Sequence, residues 1–266
     1  MNSFLNSPSP APKIIAETPL YLVVYKPPGI HTAPLAGKAG ETLLSWAAAR
    51  YPDVLSPRGS LDREGGLLHR LDYETRGLVL IARTQAALDA LLWQQKEDRI
   101  IKEYTALSAG RKEDLPGFPP FPGGGPSSAE AGTGGPRGLI ESAFRPYGKG
   151  RKAVRPVLPA PGQTLYRTEI LSWTADNPVP PRAPGLPGAS SGPARMFRLR
   201  ISRGYRHQIR SHLAWAGWPI VNDALYGGVE NAVENAVPGL ALCAGAVSFI
   251  DPETGRPLRY RLDDLS

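Results

Sequence analysis

Asp72 is the acid best placed for chemistry in this chain of 266 residues. It lies in His69-Arg70-Leu71-Asp72-Tyr73-Glu74-Thr75-Arg76-Gly77, a polar stretch that runs straight into Leu78-Val79-Leu80-Ile81-Ala82. A carboxylate on a turn before a buried strand is held rigidly at the edge of a cleft, and catalytic groups commonly sit there. His69, Arg70 and Arg76 surround it with charge or potential charge. On its own the stretch also suits an Asp that merely caps a turn. A later run, Gly204-Tyr205-Arg206-His207-Gln208-Ile209-Arg210-Ser211-His212, gathers arginines, histidines and an aromatic ring into one helix start. His207 and His212 are five apart, off a shared helical face, so they make a poor metal pair.

Other chemistries are excluded by what is missing. The single cysteine, Cys243, leaves no internal disulfide and no cysteine-rich zinc site. No Gly-rich stretch ends in Gly-Lys-Ser/Thr, so a phosphate-cradling P-loop is ruled out. A sugar hydrolase would need a convincing second catalytic acid. The longest mostly apolar run, Gly239 to Ile250, is too short for a bilayer, and no signal peptide is read at the start. A cytoplasmic protein without membrane contact is the expectation.

The charge balance points to a polyanion. Lys and Arg number 31 against 24 Asp and Glu, a formal net charge of +7. Arg145, Lys149, Arg151, Lys152 and Arg155 form one acid-free run; Arg195, Arg198, Arg200, Arg203, Arg206 and Arg210 form another. Phosphate contacts supply most non-specific nucleic-acid affinity, so these runs suit a nucleic acid. A solvated basic face is the plainer alternative. Arg198 and Arg200 on one strand face, with Arg206 and Arg210 a helical turn apart, would line one groove.

The elements that must position these residues can be read from periodicity and caps. Leu20–Tyr25 reads as a buried strand before the turn Lys26-Pro27-Pro28-Gly29, and Glu41–Arg50 as a short helix. Leu78–Ala82 is a central strand, and Thr84 caps a helix reaching about Lys96. Ile101–Leu107, Leu139–Phe144, Leu165–Trp173 and Met196–Ser202 are further strands. His207–Ala216 is a helix with Ile209 and Leu213 facing a core. Leu240–Ile250 and Pro257–Leu262 return to strands around a turn at Asp251–Gly255. Many strands with few helices argue for an α+β fold on a mostly antiparallel mixed sheet.

Two segments interrupt this pattern. Residues 109–138 hold nine Gly and six Pro, and residues 175–194 hold three Gly and six Pro. Partly mobile surface loops are expected there. Residues 1–13 read as a loose tail, and 14–266 as one domain. Only 19 residues precede Leu20, too few for any domain before it.

The Asp72 stretch resembles the HRLDxxTSGLLL signature of the RluA-type RNA pseudouridine synthases. Tyr25-Lys26-Pro27-Pro28-Gly29-Ile30 is similar to their NKPxGL turn, and Lys102-Glu103-Tyr104-Thr105-Ala106 to their KxYxA strand. Gly204–His212 resembles GRTHQIRVH, and Gly217-Trp218-Pro219-Ile220-Val221-Asn222-Asp223-Ala224-Leu225-Tyr226-Gly227 resembles GHPILGDxxYG. The resemblance implies the pseudouridine synthase fold with a central RNA-binding cleft. It implies an isomerase that breaks the N1–C1′ bond of a flipped-out uridine, turns the uracil and rejoins it through C5, with no cofactor and no metal.

Site roles follow from the same resemblance. Asp72 matches the catalytic aspartate, acting by attack at C1′ or by taking the 2′ proton. Arg210 matches the arginine that pairs with it, and Tyr104 the tyrosine that stacks on the uracil. Arg70 matches a residue that enters the RNA stack as the base leaves. His69, Lys102, His207, Arg206, Arg203, Arg145, Lys149, Arg151 and Lys152 are expected RNA or supporting contacts, whereas His31 and His212 are expected to be structural. The partner would be ribosomal or transfer RNA, with the protein a monomer. A non-catalytic RNA-binding or ribosome-associated member of the same fold is the alternative. Three residue-level departures stand out: Arg76 replaces a small hydroxyl residue, Tyr205-Arg206 replaces Arg-Thr, and Cys243 stands where members often carry histidine.

Overall fold

A computed structural model describes residues 11–37, 40–59, 61–110, 114–122, 138–177, 194–228 and 239–262. Among these, ten strands and three α-helices form two compact units. The first comprises residues 1–103 and 243–266, the second residues 104–242. No helix among the described residues is long and apolar enough to cross a membrane.

In the first unit, β1 (Lys13–Glu17), β2 (Tyr21–Lys26) and β3 (Arg76–Ala82) pair antiparallel in that order. β3 then runs parallel to β9 (Leu242–Ile250), and β10 (Pro257–Arg261) folds back on β9. β2 and β3 are buried along their whole length, which matches their continuous apolar runs. One face packs Tyr21, Val23, Leu78, Leu80, Val247 and Phe249 against Ala87, Leu88 and Leu91 of α2 (Gln85–Lys96). Thr84 caps α2 by accepting from the Ala87 amide. The shorter α1 (Leu43–Ala48) starts at a capping box between Thr42 and Ser45.

β3 and β9 meet in register at Arg76–Cys243 and Gly77–Ala244. Gly77 is required there: its φ is +133°, and a Cβ would lie 2.4 Å from the Ala244 carbonyl oxygen. The chain can therefore leave the Asp72 turn and enter a two-sided strand pairing at once.

β4 (Ile101–Ala109) leads into the second unit. There β8 (Ala194–Ile201), β7 (Tyr166–Asn177), β5 (Gly138–Tyr147) and β6 (Ala153–Val157) pair antiparallel in that order. α3 (Gln208–Trp215) is buried along its whole length. Its His212 fills an apolar position, with one ring nitrogen 2.9 Å from Ser142 Oγ and the other 2.9 Å from Thr168 Oγ1. This agrees with the structural role expected of it.

Burial lowers the His212 pKa from 6.5 to about 3. Between those values the unfolded chain binds a proton that the native state refuses, so stability falls as pH drops through that window. The loss from this residue is about 1.4 kcal/mol per pH unit. Urea unfolding from pH 7 to pH 4 should show that component in the wild type and lack it in His212→Asn.

Three features escaped the periodicity. β1 starts at Lys13, the last residue of the expected tail, and residues 1–10 lie outside the described residues. β6, with a proline inside it, reads as a basic run rather than a strand; it is tolerated as the outer neighbour of β5. Part of the first Gly/Pro segment is packed rather than loose. Tyr147 and Arg155 donate to the Pro116 and Gly117 carbonyl oxygens, and the Trp215 indole donates to Pro119 O at 2.7 Å. Phe118 and Phe121 meet Tyr226 and Trp215 edge-on. Residues 111–113, 123–137 and 178–193, most of the two segments, lie outside the described residues.

Candidate active site

In the first unit the Asp72 turn is held by residues from the Lys26 motif. Lys26 is fully buried, and its ammonium donates to the carbonyl oxygens of Pro27, Tyr73 and Thr75 at 2.9, 3.3 and 2.8 Å. The Gly29 amide adds a bond to Tyr73 O at 2.9 Å. Thr32 Oγ1 donates to Leu71 O at 2.8 Å and accepts from the Leu71 amide at 3.1 Å. The turn closes on itself through Thr75 N to Asp72 O at 3.1 Å. All of these bonds to the turn use the backbone of residues 71–75 and none engages the Asp72 carboxylate, on a residue that is itself half-buried. The His31 ring lies against Tyr73 at 4.7 Å, a packing role that fits its expected structural part.

Burial pulls the Lys26 pKa down to about 8, while the charges of Asp72 and Glu74 oppose the shift. At pH 7 the group is still largely an ammonium, with three N–H donors for three carbonyls. A neutral amine offers only two. Turnover should therefore decline as pH rises through about 8. Lys26→Met should lose roughly 100-fold in kcat with a smaller change in RNA affinity, because it loosens the turn without touching substrate. An alkaline limb unchanged in Lys26→Met would assign that limb elsewhere.

Beneath the turn, the His69 ring approaches the Leu80 amide at 3.4 Å. Burial and the neighbouring Lys102 charge lower its pKa to about 3. Lys102 is itself 3% exposed, and burial lowers it to about 8 against the opposing pull of Asp98. Neither presents a cation to solvent, so both suit support of the turn better than phosphate contact. Arg70 is the reverse case: it is exposed and held only at the surface, 2.8 Å from Glu64. Tyr104 lies buried on β4.

In the second unit the two late motifs meet. Arg210 forks onto Asp223 through Nε to Oδ2 and Nη2 to Oδ1, both at 2.8 Å, and both residues are buried. Its guanidinium also lies over the Tyr226 ring at 5.5 Å. Tyr226 Oη accepts from the Val154 amide at 2.8 Å and is 3.1 Å from His207 Nδ1. His207 has φ +55° at the start of α3, which turns its ring toward Tyr226. Among the described residues no group of three or more His, Cys, Asp or Glu is placed to hold a metal.

The arginine groove read from the sequence is corrected by these contacts. α3 begins at Gln208, so Arg206 lies before the helix rather than a turn below Arg210. Arg206 donates to the carbonyls of Arg151 and Ala153 at 2.9 and 3.2 Å. Arg195 is buried between the rings of Trp173 and Trp218, 4.1 and 4.2 Å from their centroids. Arg200 reaches Glu169 at 3.4 Å. Tyr205, one of the departures from the resembled motif, stacks on Phe144 at 5.1 Å. Arg203 is half-buried near Tyr166. Arg145, Lys149, Arg151 and Lys152 remain exposed on the β5–β6 hairpin, with Arg145 directly opposite Arg155.

Three supporting residues were missed at the level of sequence: Lys26, Asp223 and Tyr226. Each lies in a stretch that matches the family pattern, and that match was the available signal. Beyond local bonds such as that of Lys26 to Pro27, their decisive partners are 13 to 72 positions away, outside any local pattern.

The mixed, mostly antiparallel sheet with few helices is an α+β fold, and its likeness to solved pseudouridylate synthases makes it the pseudouridine synthase fold. The RNA pseudouridylate synthase family model matches residues 20–215, and the chain belongs to that family. An uncharacterized RNA pseudouridine synthase of Chloroflexus aurantiacus is 30% identical over 231 residues, covering 87% of this chain and 59% of the relative. Ribosomal large subunit pseudouridine synthase D of Neisseria meningitidis is 29% identical over 257 residues, covering 93% and 56%. The chain thus spans under three-fifths of the length of these two relatives. The solved human RNA pseudouridylate synthase domain containing 1 superposes with a TM-score of 0.58 at 21% identity, covering 94% of this chain and 82% of that one.

Proposed function

We propose that this chain is an RNA pseudouridine synthase that isomerises particular uridines in structured ribosomal or transfer RNA, in the cytoplasm and as a monomer. The observation that carries the reading is the Asp72 turn, whose backbone is clamped by Lys26, Gly29 and Thr32 through bonds that do not engage its carboxylate. A nucleophile or base needs such fixed placement, because misplacement by about 1 Å costs two orders of magnitude in rate. The target uridine leaves the RNA stack, and its C1′ then becomes reachable. Asp72 acts on the ribose, at C1′ or at the 2′ proton. Tyr104 stacks on the uracil, a contact worth roughly 1–3 kcal/mol. Arg210 has the role its motif implies, pairing with the catalytic carboxylate. Arg70, planar, cationic and exposed, fills the gap left by the base. Tritium release from RNA labelled at uridine C5 tests the activity directly: the reading requires release with purified protein, and none with any structured RNA would sink it.

The exposed cations of the β5–β6 hairpin bind phosphates in this reading. Replacing Arg145, Lys149, Arg151 and Lys152 together should weaken binding across RNA sequences. It should also flatten the log–log salt slope by about 0.7 for each single-strand phosphate that the variant no longer neutralises. A slope unchanged from the wild type would remove the hairpin from the RNA interface.

A further inference from the structure

Tyr73, the residue after Asp72, is 45% exposed, yet the turn that carries it is tied down. Its carbonyl oxygen accepts from the Lys26 ammonium at 3.3 Å and from the Gly29 amide at 2.9 Å. The His31 carbonyl is fixed in turn by the Leu43 amide at 2.8 Å. The two rings lie 4.7 Å apart with 47° between their planes, so half-buried His31 backs the more open Tyr73. Neither ring makes a hydrogen bond among the described residues. Only two side-chain torsions locate a tyrosine ring once its backbone is set, so this ring meets solvent with little freedom left to lose. Arg70, on the same stretch, is exposed as well. Exposed Glu74 beside the ring disfavours a phosphate there but not the neutral face of a base.

We infer that Tyr73 is a stacking platform for the unpaired base next to the target uridine, and so helps choose which uridines are modified. The inference rests on the function proposed above. Extruding a uridine deprives the bases on both sides of a stacking partner. In that reading Arg70 fills the gap and Tyr104 takes the extruded uracil, which leaves the flanking base for Tyr73. Adjacent Cα atoms are about 3.8 Å apart, so with the ribose held at Asp72 the nucleotide within reach of Tyr73 is an immediate neighbour. Every base has a π-face, which makes the contact tolerant of sequence; purines, with the larger face, are preferred.

Total RNA labelled with tritium at uridine C5, taken from cells lacking the gene, supplies the candidate substrates together. With it, Tyr73→Ala should raise the apparent KM roughly tenfold and lower kcat less than about threefold, as the loss of one base–aromatic contact requires. Tyr73→Phe and Tyr73→Trp should keep KM within about threefold of wild type, because stacking uses the ring and not the hydroxyl. Photocrosslinking then locates the base: Tyr73→p-benzoylphenylalanine should crosslink to a nucleotide adjacent to a uridine that the wild type converts. An unchanged KM in Tyr73→Ala, an equal rise in Tyr73→Trp, or crosslinks only to nucleotides remote from any converted uridine overturns the inference and leaves the proposed activity standing. No tritium release from the wild type overturns that activity, and this inference with it. Should Tyr73→Ala not fold, the crosslink decides.

Discussion

Asp72→Asn should reduce tritium release from C5-labelled uridine RNA at least about 10⁴-fold while leaving RNA affinity within a few fold. The amide is nearly isosteric but is neither a useful nucleophile nor a base, so both routes open to the carboxylate close together. The turn itself should survive. Its ties to Lys26, Gly29 and Thr32 all run to backbone atoms of residues 71–75, and none uses the Asp72 side chain. Unfolding midpoints measured alongside turnover separate lost chemistry from lost structure. Turnover retained at more than a few per cent would remove Asp72 from the reaction.

The largest effect on stability is expected at Asp223. Its carboxylate receives two hydrogen bonds from Arg210, and both side chains are buried. Removing one member of such a pair costs about 3–5 kcal/mol, because the other charge keeps its desolvation and loses its best partner. Asp223→Ala should lower unfolding stability by that amount in urea titration. Asp223→Asn should fall between it and the wild type, since one acceptor survives. The double variant Arg210→Met/Asp223→Leu should recover much of that stability, yet remain without activity. If Asp223→Ala unfolds with the wild-type midpoint, the pair does not anchor α3.

The same ion pair explains how the late motifs act together. Arg210 is oriented by Asp223, Tyr226 supports the guanidinium from one side, and His207 meets the Tyr226 hydroxyl. The packed part of the first Gly/Pro segment lies against this group through Phe118. A substitution at Phe118 would thus reach Arg210 through Tyr226 rather than by touching RNA.

Much of the fold was legible in the chain itself. The runs at Tyr21–Lys26 and Arg76–Ala82 are continuously apolar over most of their length because both faces are covered, and Thr84 caps its helix through a bond three residues long. Gly77 and the Asp72 turn are equally local, so their motif could be read before any coordinates. The partners of charged side chains were not legible. Arg195, Arg200, Arg206 and Arg210 look alike in a basic run, yet the fold gives them two tryptophans, a glutamate, two carbonyls and an aspartate. Lys26 and Thr75 are 49 positions apart, and Arg76 and Cys243 are brought face to face only by a parallel strand pairing. Periodicity and capping depend on neighbours within about one turn, so sequence alone determined most of the elements, though not β1 or β6, and singled out the Asp72 turn as the candidate site. A buried charge must find its counterpart wherever the chain delivers it, and only tertiary structure decided which arginines were drawn inward and which stayed in water.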